Sequence, residues 1–334
     1  MPNAVSDQIR TYLEPLAKEN KFCGSVLVSQ HGDILFSGGF GKANMELSVD
    51  NTPQTKFRVG SITKTFTAVA VLQLLQSGSL RLDDAVSPYF PDQKDGEKIT
   101  IHHLLTHTSG IPNFTDDPQM LEWAVRPSTP LQLMERFSQR ELEFSPGEKY
   151  KYSNSGYVLL GSILEQVTGQ TYEEYVTAHI FEPAGMEHSR VDHPMPLVEL
   201  RASGYHLDHD GSLINAPYFD PSNAYSAGGI LSTVEDLHRW DQALRTDQLL
   251  EKSYMEQMYT PFKGEHDFAY GYGWIIQDTP FGKLVAHSGG IPGFASILLR
   301  FIDSGCSVHV LSNIMQDVSE IEKNLAAIVH EQNR

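Results

Sequence analysis

Strand-forming sequence is confined to the two ends of this chain, and that placement narrows what the chain can fold into. Gly24 to Ser29 and Ile34 to Phe40 read as two strands flanking His31-Gly32-Asp33, which has the composition of a hairpin turn. Near the other end, Tyr270 to Gln277, Lys283 to His287, Ala295 to Phe301 and Ser307 to Leu311 are four more strand candidates. Asp303-Ser304-Gly305 supplies a turn between the last two. The middle reads as helices and loops. Thr100 caps a short helix from Ile101 to Leu105, and Thr171-Tyr172-Glu173-Glu174 and Ser232-Thr233-Val234-Glu235 have capping-box spacing. A helix carrying Ile9, Leu13 and Leu16 opens the chain, and another, introduced by Asp317-Val318-Ser319-Glu320, closes it. One sheet must therefore be assembled from the two termini, and hairpin connections make it antiparallel. The expected class is α/β (α+β), an antiparallel sheet flanked by helices. Residues 1–80 and 220–334 are expected to form the sheet domain, with 81–219 a mainly helical inserted region.

Ser61-Ile62-Thr63-Lys64 stands at the start of an apolar run, Phe66-Thr67-Ala68-Val69-Ala70-Val71-Leu72. Positions three apart share one face of a helix, so Ser61 Oγ and Lys64 Nζ can meet. Near a helix N-terminus the unpaired N–H groups and the dipole favour a developing alkoxide. A buried lysine of lowered pKa then becomes a base for a hydroxyl that is otherwise a weak nucleophile at neutral pH. Alone, S-x-x-K is a common pattern and also fits a plain buried helix start.

Two further patterns stand beside it. Tyr152-Ser153-Asn154 follows a turn-like Ser145-Pro146-Gly147 and precedes a helical run from Tyr157 to Leu164. His287-Ser288-Gly289-Gly290 ends the strand-like Lys283-Leu284-Val285-Ala286. Taken one at a time, Tyr152 fits a core edge, Asn154 a helix cap, and the two glycines a turn or bulge before Ile291-Pro292-Gly293. Taken in order, S-x-x-K, Y-x-N and a K-T-G-like triplet are the signature of serine β-lactamases and penicillin-binding proteins. The chain resembles that family from about Gly24 to Asn313. It is most similar to the branch of class C β-lactamases, DD-peptidases, D-aminopeptidases and family VIII esterases. Phe57-Arg58-Val59-Gly60 before the serine and Leu104-Leu105-Thr106-His107-Thr108-Ser109-Gly110-Ile111-Pro112 carry the resemblance further.

The resemblance implies a helical region inserted into a sheet domain, with the active site between them. Ser61 would be the nucleophile and Lys64 the group that takes its proton. Tyr152 would shuttle the proton to the leaving group, with its pKa lowered by cationic Lys64 if it is to act as a phenolate. Asn154 would bond both Lys64 and a substrate amide. Backbone N–H groups of Ser61 and Gly290 would form the oxyanion hole, and Gly289 and Gly290 would let substrate lie against the strand. His287 replaces the K-T-G lysine and Ser288 the threonine. A mostly neutral imidazole there replaces a permanent charge near a substrate carboxylate, which widens the expected substrates to esters and peptides lacking one.

The expected activity is that of a serine hydrolase working through a Ser61 acyl-enzyme. It is either a penicillin-binding-protein-like peptidase of the D-Ala-D-Ala carboxypeptidase type or a β-lactamase-related hydrolase. A family VIII-type carboxylesterase or D-aminopeptidase is the alternative. A non-catalytic binder of peptidoglycan peptides is a third reading, against which the intact Ser61, Lys64, Tyr152 and Asn154 argue. The partner is a small peptide, ester or β-lactam, with no cofactor and no metal. His102, His103 and His107 lack Asp or Cys at ligand spacing, and His206-Leu207-Asp208-His209-Asp210 reads as a solvated turn. No G-x-S-x-G elbow, phosphate loop or dinucleotide fingerprint occurs. A formal charge of −17 over 334 residues argues against nucleic acid. No window approaches the roughly 18 apolar residues of a membrane span. Met1 to Val5 lack a signal-peptide pattern, so the chain reads as cytoplasmic, or as exported if a leader precedes this sequence. Cys23 and Cys306 are expected as buried free thiols, with a disulfide the alternative.

Overall fold

The computed structural model describes residues 2–265 and 267–331. Its main elements are helix α1 (Pro2–Lys18), strands β1 (Gly24–Gln30) and β2 (Asp33–Phe40), and helices α2 (Thr63–Gln76), α3 (Asn154–Thr168), α4 (Tyr225–Gly228) and α5 (Val234–Ala243). Six strands follow, β3 (Gly264–Glu265), β4 (Phe268–Tyr270), β5 (Ile275–Thr279), β6 (Gly282–Ile291), β7 (Phe294–Phe301) and β8 (Cys306–Ser312), and then helix α6 (Ser319–Glu331). The eight strands form one sheet in the order β3-β4-β5-β6-β7-β8-β1-β2, each neighbour antiparallel. The last strand in the chain, β8, lies inside the sheet between β7 and β1, so the two termini are stitched together. Cys23 and Cys306 are both buried and both free thiols.

Both faces of the sheet are covered, because side chains alternate along a strand and both sets here are apolar. Val26, Val28, Ile297, Leu299, Val308 and Val310 face α1 and α6, meeting Ile9, Leu13, Leu325 and Val329. Leu27, Leu298, Leu311 and Val285 face the opposite way, toward α2, α5 and the helical middle of the chain. Helix α2 is buried on nearly all sides from Thr63 to Leu75, as a helix apolar around its circumference must be. Phe66 on α2 stacks on Trp240 of α5 with ring centroids 4.2 Å apart. The threonines of α2 turn inward because each finds an acceptor: Thr67 Oγ1 donates to Ser226 O at 2.6 Å.

Polar groups also tie the layers. Asp241 of α5 accepts from Arg300 Nε on β7 at 2.5 Å and from Arg245 Nε at 3.0 Å. Burial pushes the Asp241 carboxyl up, but Arg300 and Arg245 outweigh it and hold it down at about 2. A carboxyl with a depressed pKa stabilises the fold above its usual value near ~3.9, and that contribution is lost as pH falls toward the native value. Removing it strands Arg300, whose side chain is 2% exposed. Asp241→Ala is therefore expected to cost about 3–5 kcal/mol in urea unfolding at neutral pH. A loss below about 1 kcal/mol would mean that water reaches Arg300 and replaces the carboxylate.

Candidate active site

Ser61 owes its position to a close approach of two backbones. Phe57–Arg58 pairs with Ile230–Ser232, and Val59 N donates to Ile230 O at 3.0 Å, which delivers the chain to the edge of β6. There Gly60 turns at φ +51, and Gly60–Ile62 makes a single 3-10 turn that runs into α2. A Cβ on Gly60 would stand 2.9 Å from Gly290 N, and one on Gly289 would stand 2.0 Å from Val59 O and 3.0 Å from Ser61 N. Only hydrogen fits at either place. Ser296 Oγ on β7 clamps the approach by donating to Val59 O at 2.7 Å.

Lys64, one turn on, is fully buried. Its Nζ lies 3.1 Å from Ser61 Oγ, 2.7 Å from Asn154 Oδ1 and 2.7 Å from Ala227 O. The rings of Tyr152 and Tyr157 face it at 4.8 and 5.5 Å. Among the described residues no carboxylate pairs with it, and burial holds its pKa well below the usual lysine range. A neutral amine has two N–H groups and one lone pair. Asn154 Oδ1 and Ala227 O can only accept, so they take the two N–H groups and leave the lone pair on Ser61 Oγ–H. That is the arrangement of a general base.

The sequence brought Asn154 into view; its supports were not legible. Asn154 Nδ2 donates to Thr115 Oγ1 and Asn154 N to Asn113 Oδ1, each at 3.0 Å. Both partners lie just past the Leu104–Pro112 run, with no pattern to mark them. Ala227 contributes a carbonyl from α4, and a main-chain oxygen leaves no trace in composition.

Tyr152 lies in an extended segment pinned to His107, with Lys151 N on His107 O at 2.9 Å and Ser153 N on His107 Nδ1 at 3.2 Å. Its hydroxyl is sealed from solvent and makes no hydrogen bond among the described residues. Burial pushes that hydroxyl well up from the ordinary tyrosine value, and the nearby Ser61 only partly offsets the rise. Of the two forms the sequence leaves open, a phenolate or a phenol in relay with Lys64, this favours the phenol. A neutral Lys64 facing the ring cannot lower the pKa, and Tyr152 stays a phenol.

His287 is also placed differently from the expectation. Strand β6 alternates, so Ser288 and Gly290 are exposed toward the cleft while His287 and Gly289 point inward. His287 is 2% exposed. Its Nδ1 donates to Ser288 O at 2.6 Å and its Nε2 accepts from Tyr270 Oη at 2.8 Å. Burial pushes its pKa down to about 3, against the pull of the Ser288 carbonyl. It is a neutral imidazole buried beside Tyr152 and Tyr270, with both ring nitrogens engaged.

Gly290 offers a donor instead. The two-residue turn Pro292-Gly293 makes Ile291–Phe294 the closing pair of the β6–β7 hairpin. Hydrogen-bonded and open pairs alternate along an antiparallel ladder, so Gly290–Ala295 is an open pair and the Gly290 N–H points away from β7, toward Ser61. Ser61 and Gly290 line a cleft of about 260 Å³ with Thr115, Met120, Phe219 and Pro292 around it.

Comparison with known proteins places this arrangement. The Beta-lactamase family model matches residues 9–332. The chain belongs to the beta-lactamase family. Penicillin-binding protein 4* of Bacillus subtilis (strain 168) is 32% identical, over 96% of this chain and 75% of that protein. The crystal structure of a penicillin-binding protein from Bacillus halodurans superposes with a TM-score of 0.88 at 30% identity, covering 94% of this chain and 98% of that one. A D-stereospecific amidohydrolase from Streptomyces sp. gives a TM-score of 0.80 at 30% identity, over 93% and 94% of the two chains. This beta-lactamase family member therefore has the β-lactamase and penicillin-binding-protein fold expected of it, and the family is one of serine hydrolases. No helix among the described residues is long and apolar enough to cross a membrane.

The approach at Gly289 yields a test. Gly289→Ala must push Val59 and Ser61 off β6, and a displacement of about 1 Å near a nucleophile costs about a hundredfold in rate. Labelling of Ser61 by a fluorophosphonate should slow by that factor while the circular dichroism spectrum is retained. Unchanged labelling would mean that the two backbones can separate without moving Ser61.

Proposed function

We propose that this chain is a serine hydrolase that forms an acyl-enzyme on Ser61, a penicillin-binding-protein-like peptidase acting on peptides of D-amino acids. The observation that carries the reading is the buried Lys64 Nζ, 3.1 Å from Ser61 Oγ and held there by Asn154 Oδ1 and Ala227 O. Ser61 Oγ attacks the substrate carbonyl as its proton passes to Lys64. The tetrahedral oxyanion is met by the N–H groups of Ser61 and Gly290, each such donor contributing about 3 kcal/mol in related chemistry. The Tyr152 phenol relays the proton from Lys64 to the leaving nitrogen, the C–N bond breaks, and the acyl group remains on Ser61. Water then attacks the ester, giving its proton back along the same route. Asn154 keeps Lys64 oriented, and its amide stands where a substrate carbonyl can reach it.

A second reading is a D-aminopeptidase, amidase or esterase. What favours it is His287, which presents no charge to the cleft where a lysine would meet a carboxylate. The similarity to a protein described as a D-stereospecific amidohydrolase points the same way.

Intact-mass spectrometry after brief exposure to benzylpenicillin tests the proposal, with Ser61→Ala as control. A stoichiometric adduct on the wild type alone supports the peptidase. No adduct, together with turnover of a D-amino-acid amide that Ser61→Ala lacks, moves the assignment to the amidase; turnover retained in Ser61→Ala overturns the mechanism. Tyr152→Phe is expected to lower kcat about a hundredfold by removing the relay, and an unchanged rate would leave the ring a purely structural role. The pH profile follows from the two shifts. Protonating Lys64 removes the lone pair, so activity falls as pH drops through its lowered pKa. Tyr152 is raised, so no decline is expected up to pH about 10, where an ordinary tyrosine ionises. An alkaline limb below that point that vanishes in Tyr152→Phe would restore the phenolate.

A further inference from the structure

Beside the nucleophile's cleft, and sharing Phe219 and Pro292 with it, lies a second pocket of about 360 Å³. Its wall carries two arginines, Arg58 and Arg201. Both point at one oxygen of Asp192: Arg58 Nε donates to Oδ2 at 2.8 Å and Arg201 Nη2 to the same atom at 2.7 Å. Asp192 is 1% exposed, whereas the two guanidinium side chains are 14% and 24% exposed. The other oxygen, Oδ1, is sealed from solvent. The pocket therefore meets the cations and not the carboxylate that holds them.

The remaining contacts leave donors over. Arg58 Nη1 reaches Phe219 O at 3.3 Å and Arg201 Nη1 reaches His193 O at 3.4 Å. Each guanidinium has five N–H groups and uses two of them on partners among the described residues. Asp220, the other acid near this wall, is buried and engaged by Ser222 Oγ at 2.7 Å, Ser222 N at 3.1 Å and Tyr218 Oη at 3.3 Å. The wall thus carries Arg58 and Arg201, with Arg190 close enough to act on Arg201, beside two buried carboxylates, Asp192 and Asp220, and the arginines keep uncommitted N–H groups in fork geometry. Arg201 feels these neighbours: burial lowers its pKa, Asp192 opposes this, and Arg58 and Arg190 add to the lowering.

We propose that this pocket is a substrate subsite for a carboxylate, so that the enzyme prefers substrates with an acidic group beyond the scissile carbonyl, on the side of Pro292. The inference rests on the reading of Ser61 as nucleophile. Arg58 lies three residues before Ser61 in the chain, and Phe219 and Pro292 line both the pocket and the cleft, so the two adjoin within the reach of one small substrate. A planar carboxylate matches the guanidinium fork, which is the reason arginine is used where carboxylates must be told from neutral groups.

Two measurements test it. The first compares kcat/KM for 4-nitrophenyl hydrogen glutarate and 4-nitrophenyl butyrate. The wild type is expected to favour the acidic ester, and Arg201→Gln to reduce the preference ratio about tenfold, the usual scale of one charge-assisted contact. Arg201→Lys should restore part of the ratio, and because it is a ratio, a general loss of folded enzyme leaves it unchanged. Equal turnover of the two esters by the wild type, or a ratio that survives Arg201→Gln, overturns the subsite while leaving Ser61 chemistry intact. The second is calorimetric titration with glutarate, which needs no turnover. Binding to the wild type that weakens about tenfold in Arg201→Gln supports the subsite even if no ester is hydrolysed, the outcome that would count against the Ser61 reading instead. No binding to the wild type at millimolar glutarate overturns the subsite.

Discussion

The chemistry of this enzyme depends on keeping one lysine dry. Among the described residues Lys64 has no carboxylate to share its charge, and an ammonium in such surroundings carries a desolvation penalty of several kcal/mol. The protein therefore holds it as an amine, and everything packed around it keeps it so. His107 lies under Tyr152, its ring centroid 4.3 Å away, and gives no charge because its Nδ1 accepts the Ser153 N–H. His287 accepts from Tyr270 and is equally neutral. Tyr152, Tyr157 and Tyr270 close the box, with Tyr157 Oη satisfied by Leu105 O at 2.9 Å. The lysine's N–H groups go to Asn154 Oδ1 and Ala227 O, and its lone pair is left for the serine.

Where the fold could be read ahead of the structure, the reason is that local chemistry and tertiary packing agree. Thr100 caps Ile101–Leu105 as its spacing requires, accepting from His103 N at 3.3 Å while His103 Nδ1 accepts from Thr100 N at 3.2 Å. Strands β1, β2, β7 and β8 appear within a residue of their expected limits, since each carries an apolar face and turn residues bound them. Tyr270 to Gln277 was expected as one strand and is two, broken at Gly271 and Gly273. A Cβ on Gly273 would lie 2.7 Å from Ala68 Cβ and 2.8 Å from Lys64 O, so the chain must turn there to let α2 pass. That requirement comes from the partner helix and is invisible in the segment itself. The cap before α5 is Thr233, not Ser232: its Oγ1 accepts from Asp236 N at 3.1 Å.

The candidate site divides along the same line. Ser61, Lys64, Tyr152 and Asn154 announce themselves by type and spacing, and the structure gathers all four. Which way a side chain points, and what state it is in, depends on partners far away in the chain. His287 and Ser288 adjoin in sequence, yet strand alternation buries one beside Tyr152 and Tyr270 and exposes the other. The neutral state of Lys64 comes from the burial of α2, and the orientation of its amine from Ala227 O, 163 residues downstream.

The order of the strands has a consequence for how the protein is made. Strand β8 is the last to leave the ribosome, yet it is needed between β7 and β1, and its residue Val310 pairs with Val26 from the opening of the chain. The sheet cannot close during synthesis, and contacts of such long separation form slowly. Gly290 on β6, the proposed oxyanion donor, likewise appears more than two hundred residues after Ser61, the proposed nucleophile. A nascent chain thus exposes Ser61 long before it can use it. Until β8 has emerged, the unpaired edge of β1 needs protection from other strands.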